Sequence, residues 1–181
     1  MYGESYLFLA AVLVAALAAV FDWRTGEIPN WLTLGTLALG PVAHGVFGLL
    51  GAGWAAAGEG LGLSLLGAAV CGIVPLILYR GNAIGGGDVK LLVALGAVLR
   101  PLVGMEAQLY SYIVAAAIAP IRMAWQGKLL RTLGNSLLLV RNLFVPKEKR
   151  REVPREMLTE LRFGPPVFIA TAVVIFIRWR G

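Results

Sequence analysis

Two aspartates stand where acids are rare, at the edges of long apolar stretches. Asp22 lies in Phe21-Asp22-Trp23-Arg24-Thr25-Gly26-Glu27-Ile28-Pro29-Asn30, and Asp88 in Ile84-Gly85-Gly86-Gly87-Asp88-Val89-Lys90. Ionisable groups at membrane depth are costly, which makes them functional candidates by default. If two carboxyls share a site, both cannot easily ionise; one pKa rises and the pair holds a single proton over a range of pH. The carboxylate then activates water, while its protonated partner polarises a carbonyl and later protonates a leaving amine. That chemistry needs no metal, no cofactor and no covalent intermediate. Each acid also has a plainer reading. Asp88 follows glycines and precedes a helix, as an N-cap does, and Asp22 beside Arg24 reads as an interfacial charge.

The residues around the acids are read the same way. Gly85, Gly86 and Gly87 lack a Cβ, so positive φ is open to them and an extended substrate strand is expected to lie close beside Asp88. The run does not continue as the Gly-Lys-Ser/Thr of a phosphate-binding loop. Ile28-Pro29-Asn30 reads as a loop followed by a helix start with Asn30 as cap. Lys90 reads as a headgroup-binding cation or as a charge biasing Asp88, and Glu27 as an exposed loop charge. A single cysteine, Cys71, excludes an intrachain disulfide, a Cys-x-x-Cys zinc site and an iron–sulfur cluster. The one histidine, His44, reads as a packed or interfacial residue rather than a ligand.

The elements that must position these residues are membrane spans. The chain is 59% hydrophobic and 14% charged, far from the composition of soluble domains. Apolar stretches long enough to cross a bilayer predict six spans, at 5–21, 31–50, 60–79, 89–103, 107–121 and 163–179. The fourth is short, and Arg100-Pro101 near its end predicts an outward-snorkelling Arg100. The expected fold is therefore an all-α polytopic membrane protein, a six-helix transmembrane bundle forming one domain over 1–181. The N-terminus lacks the basic region of a secretory signal, so the first span is expected to be retained.

Six alternating spans divide the loops into two sets, and 13 of the 16 Lys and Arg residues fall in one of them. That asymmetry predicts both termini outside, with 22–30, 80–90 and 122–162 inside. It also makes the net charge of +6 a topology signal, not the footprint of a nucleic-acid partner. Asp22 and Asp88 consequently share the cytosolic face. In segment 122–162, Trp125, Leu129, Leu133, Val140 and Phe144 suit one face of an interfacial amphipathic helix. Leu138, Leu139 and Arg141 break that pattern and suit a less regular arrangement. The run from Lys147 to Glu152 reads as a solvated loop near anionic headgroups. The many glycines read as close helix packing in lipid.

Together these features resemble the prepilin peptidase family, membrane aspartic proteases that include the archaeal preflagellin peptidases. The resemblance rests on Asp22 followed by Ile28-Pro29-Asn30, on the Gly-x-Gly-Asp of Gly85 to Asp88 with Val89-Lys90-Leu91-Leu92 after it, and on Phe163-Gly164-Pro165-Pro166 opening the last span. It implies Asp22 and Asp88 as the catalytic pair, with Gly85, Gly86, Gly87, Lys90, Ile28, Pro29 and Asn30 as motif residues and candidate substrate contacts. It further implies removal of a basic leader from prepilin-like or preflagellin-like precursors at the cytosolic side of the plasma membrane. The paired cysteines of the bifunctional members' N-methyltransferase region are absent from this sequence, so a peptidase-only activity is expected. Membrane lipids are the other expected partner; oligomeric state is open. Two rival readings of the acids stand beside this one: a small cation or proton-coupled transporter or channel, and an inactive membrane scaffold.

Overall fold

In a bilayer every backbone N–H and C=O must be satisfied within the chain, so long apolar segments become helices. The computed structural model describes residues 2–81, 83–125 and 162–180, and no strand occurs among them. In chain order the helices are α1 (Tyr2–Thr25), α2 (Asn30–Ala52), α3 (Trp54–Arg80), α4 (Gly86–Trp125) and α5 (Gly164–Arg180). Three stretches are long and apolar enough to cross a membrane: Ser5–Thr25, Asn30–Ala52 and Trp54–Arg80. The protein is a helical membrane protein. The described chain divides into a compact unit of Met1–Ala115 with Arg162–Gly181 and a second unit of Ala116–Leu161. Of the second, the end of α4 is described. The amphipathic and basic readings of segment 122–162 concern residues almost all of which lie outside those described.

The packing of α1 is inverted relative to a soluble helix. Ala11, Ala15 and Ala18 are fully buried, whereas Leu9, Leu13 and Leu17 are exposed. Lipid is as apolar as leucine, so small residues go where backbones approach and large ones face the acyl chains. The buried face of α1 meets α5, where Val167, Ala170 and Val174 are buried in turn. The helix stops at Thr25 because Gly26 adopts the left-handed conformation (φ 77°) and returns its N–H to the Asp22 carbonyl at 3.0 Å.

Helix starts differ from the expected ones for local reasons. The N-cap of α2 is Pro29, not Asn30, and it makes no side-chain cap bond. Its carbonyl accepts from the Leu32 and Thr33 N–H groups at 3.1 and 3.3 Å. The loop expected between the second and third spans contracts to Gly53 (φ 85°), and α3 starts at Trp54, six residues before the apolar run at Gly60. Hydropathy marks where lipid begins; a helix continues beyond that boundary through residues such as Ala55, Ala56 and Ala57.

The largest departure lies in α4. Spans at 89–103 and 107–121 with a break near 104–106 were expected, and the break falls instead at Arg100 (φ 63°, ψ 173°). This conformation is sterically costly for a residue with a side chain, by about 1–3 kcal/mol. Pro101 ends the first arm, having no N–H to continue it, excludes helical ψ at Arg100 and suits the first turn of the second arm. The chain folds back so sharply that a Cβ on Gly104 would lie 3.1 Å from the Gly96 Cα.

The first arm, residues 86–99, rises only about 21 Å, and its last residues, Ala97 to Leu99, are buried, so partners within the chain must satisfy its terminal carbonyls. Side chains from α2 and α3 do so. Ser64 Oγ donates to the Ala97 carbonyl at 2.6 Å, and His44 Nε2 lies 2.8 Å from the Val98 carbonyl. A carbonyl only accepts, so Nε2 carries the proton, and Nδ1 accepts from Arg100 Nε at 3.2 Å. Arg100 therefore turns inward to His44 instead of snorkelling outward. Close approach of α3 makes these bonds reachable, because Gly67 and Gly96 face each other backbone to backbone, with Cys71 against Gly96.

Candidate active site

Asp22 lies in the last turn of α1 and is 5% exposed. An acid at a helix C-terminus is unfavourable for its own helix dipole. Here that cost is offset by a second helix, because Oδ2 accepts from the Gly164 N–H at 2.7 Å, a first-turn amide of α5. The Asp22 carboxyl thus occupies the electropositive N-terminus of α5, and its direction is fixed by that bond. The approach is tight: a Cβ on Gly164 would lie 2.8 Å from the Asp22 Cβ and 3.0 Å from the Ala19 Cα. Phe163, beside it, is buried and packs on the Tyr112 ring with centroids 5.7 Å apart.

Asp88 occupies the third position of α4 and is 9% exposed. Its Oδ2 accepts from the Gly85 N–H at 3.1 Å, the backward bond an acid at this position makes in a capping box. Asp88 is therefore not the N-cap that its place after the glycines suggested: it lies inside the first turn and caps backward to Gly85 with one oxygen, which does not exclude a second role. Burial pushes the carboxyl up from 3.8 to about 6; the Gly85 bond acts against the rise and the Asp22 charge adds to it. The two acids are thus close enough to feel each other electrostatically.

The segments carrying them also touch directly. Ile28, 8% exposed, packs against Gly87, where a Cβ would stand 3.4 Å from the Ile28 Cβ. Lys90 Nζ donates to Asn30 Oδ1 at 2.8 Å. The expected positive φ in the Gly85-Gly86-Gly87 run is not found: among the described residues only Arg100, Gly26 and Gly53 have it. Gly86 and Gly87 are the first residues of α4, and what the missing Cβ of Gly87 admits is Ile28 of the same chain. Gly85 is exposed beside Asp88.

Gly164 was not among the expected site residues, although Phe163-Gly164-Pro165-Pro166 carried the signal: a glycine and two prolines opening a span. Glu27 is exposed, as expected of a loop charge, and Arg24, in the last turn of α1, is exposed as well. Among the described residues no group of three or more His, Cys, Asp or Glu side chains is arranged to hold a metal ion.

Compared with known proteins, residues 7–120 match the model of the type IV leader peptidase family, a stretch that covers well over half of the chain and contains both aspartates and both motifs around them. No curated protein and no solved structure matches the chain.

Proposed function

The chain belongs to the type IV leader peptidase family, and from that premise we propose that it is an aspartic endopeptidase whose Asp22–Asp88 pair removes the leader of prepilin-like or preflagellin-like precursors. The observation that carries the proposal is the raised Asp88 carboxyl, buried and under the influence of the Asp22 charge. Such a pair holds one proton up to a pH of about 6. In that singly protonated form Asp88 holds it and Asp22 is the carboxylate. Asp22 removes a proton from water as the oxygen attacks the scissile carbonyl, and the Asp88 proton binds the developing oxyanion. Collapse of the tetrahedral adduct expels the amine, which leaves with a proton from the pair. The Gly164 and Gly85 amides hold both carboxyls in direction throughout, so little reorganisation accompanies the reaction.

The reading places cleavage at the cytosolic face of the plasma membrane and includes no methyl transfer. Six crossings follow if the two arms of α4 and the helix α5 are counted beside α1, α2 and α3. Exposed tryptophans support that placement, with Trp23 and Trp31 near the aspartates and Trp54 and Trp179 at the opposite helix ends, as in the aromatic belts of two interfaces. Tags at either terminus are expected to react with an impermeant reagent added to intact cells, and a cysteine placed at 149 is not; the reverse pattern would remove the aspartates from the substrate's face.

Purified protein incubated with a prepilin carrying a basic leader is expected to release that leader, with a pH dependence set by the pair. Because the Asp88 pKa is raised, its proton is retained to higher pH than in an ordinary carboxyl and is lost above about 6. The free-enzyme parameter kcat/KM is therefore expected to fall as pH rises through about 6. The kcat profile, which reports the complex, should fall at higher pH because bound substrate removes further water. Carboxylate-dependent cation flux without cleavage would instead favour the transporter reading.

A further inference from the structure

Asn30 stands at the start of α2 without capping it, and its side chain is engaged by Lys90, sixty residues on in sequence. Both side chains are exposed, and an exposed hydrogen bond between flexible groups contributes little net stability. Its consequence is better sought in position. On α4 the contact residues are Gly87 and Lys90, three apart and so on one helix face. On the connector they are Ile28 and Asn30, two apart across an extended Pro29 (φ −60°, ψ 135°), which directs both to one side. The spacings match, so an extended connector and a helical turn dock at two points, one apolar and one polar. Asp88 lies between the two points in sequence. The other end of the connector begins four residues after Asp22, at the fixed turn of Gly26.

We infer that Asn30 and Lys90 are positioning residues, whose hydrogen bond holds the α1–α2 connector in register on the first turn of α4 and so sets the separation of the Asp22 and Asp88 carboxyls. The inference rests on the dyad reading above. Ile28 against Gly87 fixes how near the two segments come; the polar contact fixes how they are aligned along the helix. Lys90 is thereby held away from both the headgroup role and the direct substrate role that its charge suggests.

The test compares Asn30→Ala, Lys90→Met, the double variant and Asn30→Asp, with a prepilin as substrate and folding monitored by size exclusion. Asn30→Ala and Lys90→Met are each expected to lower kcat about tenfold with KM within about twofold, since small misplacements of reacting groups are costly. The double variant should be no slower than either single one. Asn30→Asp, which keeps an acceptor for the ammonium, should recover most of the rate. Wild-type kcat in Asn30→Ala, additive losses, or a rise confined to KM would overturn the inference, the last by showing substrate contact instead. Asp22→Asn serves as the control: if it still cleaves, the dyad reading has failed, whereas its inactivity beside fully active Asn30 and Lys90 variants would remove only the positioning role.

Discussion

Asp22→Asn and Asp88→Asn are each expected to reduce leader removal by at least about a thousandfold while the protein still accumulates folded in the membrane. The size of the effect follows from the division of labour. After Asp22→Asn the side chain accepts no proton from water, and after Asp88→Asn it has none of acid strength to give, so either change removes one half of a general acid–base pair worth about 10²–10⁴ in rate and leaves the other half without its partner. The double variant should be no slower than the single ones, because residues acting as a unit fail as a unit. Folding is expected to survive because an asparagine side-chain oxygen still accepts the Gly164 N–H at position 22 and the Gly85 N–H at position 88. Neutralising Asp88 also removes a buried acid whose ionisation burial opposes. Cleavage at the wild-type rate by either folded variant would remove the dyad mechanism.

Gly164→Ala is expected to cost about a hundredfold in kcat without removing a titratable group. The added methyl would stand 2.8 Å from the Asp22 Cβ and 3.0 Å from the Ala19 Cα, where carbon atoms require about 3.5–4.0 Å. Neither neighbour is the tip of a flexible side chain, so α1 and α5 must part by several tenths of an ångström or more, lengthening the Gly164–Asp22 hydrogen bond and turning the carboxyl. Displacements of about 1 Å carry rate losses of this order, and overpacking adds about 1–3 kcal/mol of destabilisation. Gly62→Ala is the control: it lies in α3 with nothing within 4 Å of the added methyl, and it should leave cleavage unchanged. Equal rates for Gly164→Ala and wild type would show that the close contact does not position Asp22.

The sequence by itself determined the helical membrane character, the two aspartates with the motifs around them and their order along the chain. It ended the first span at 21 and separated the fourth and fifth spans at 104–106, whereas α1 runs on to a stop at Gly26 and α4 breaks at Arg100 beside Pro101, where glycine and proline act on the backbone locally. It misplaced the start of α3, since hydropathy reports the lipid boundary and not the last helical hydrogen bond. It gave Asn30 to a cap and the glycine run to positive φ, since both readings are locally sensible. Only the tertiary structure decided otherwise. Asp22 is met by an amide 142 residues away, Asn30 by an ammonium 60 residues away, and the carbonyls at the end of the short first arm of α4 by His44 and Ser64. In a soluble protein the apolar face of each helix would have pointed to its neighbours. Here exposed Leu13 and Leu17 are as apolar as anything in the core, and the packed face of α1 is marked chiefly by Ala11, Ala15 and Ala18. Which helices pair, and so which distant groups meet the aspartates, is settled by how closely backbones fit, a property of surfaces in contact that no single stretch of chain carries.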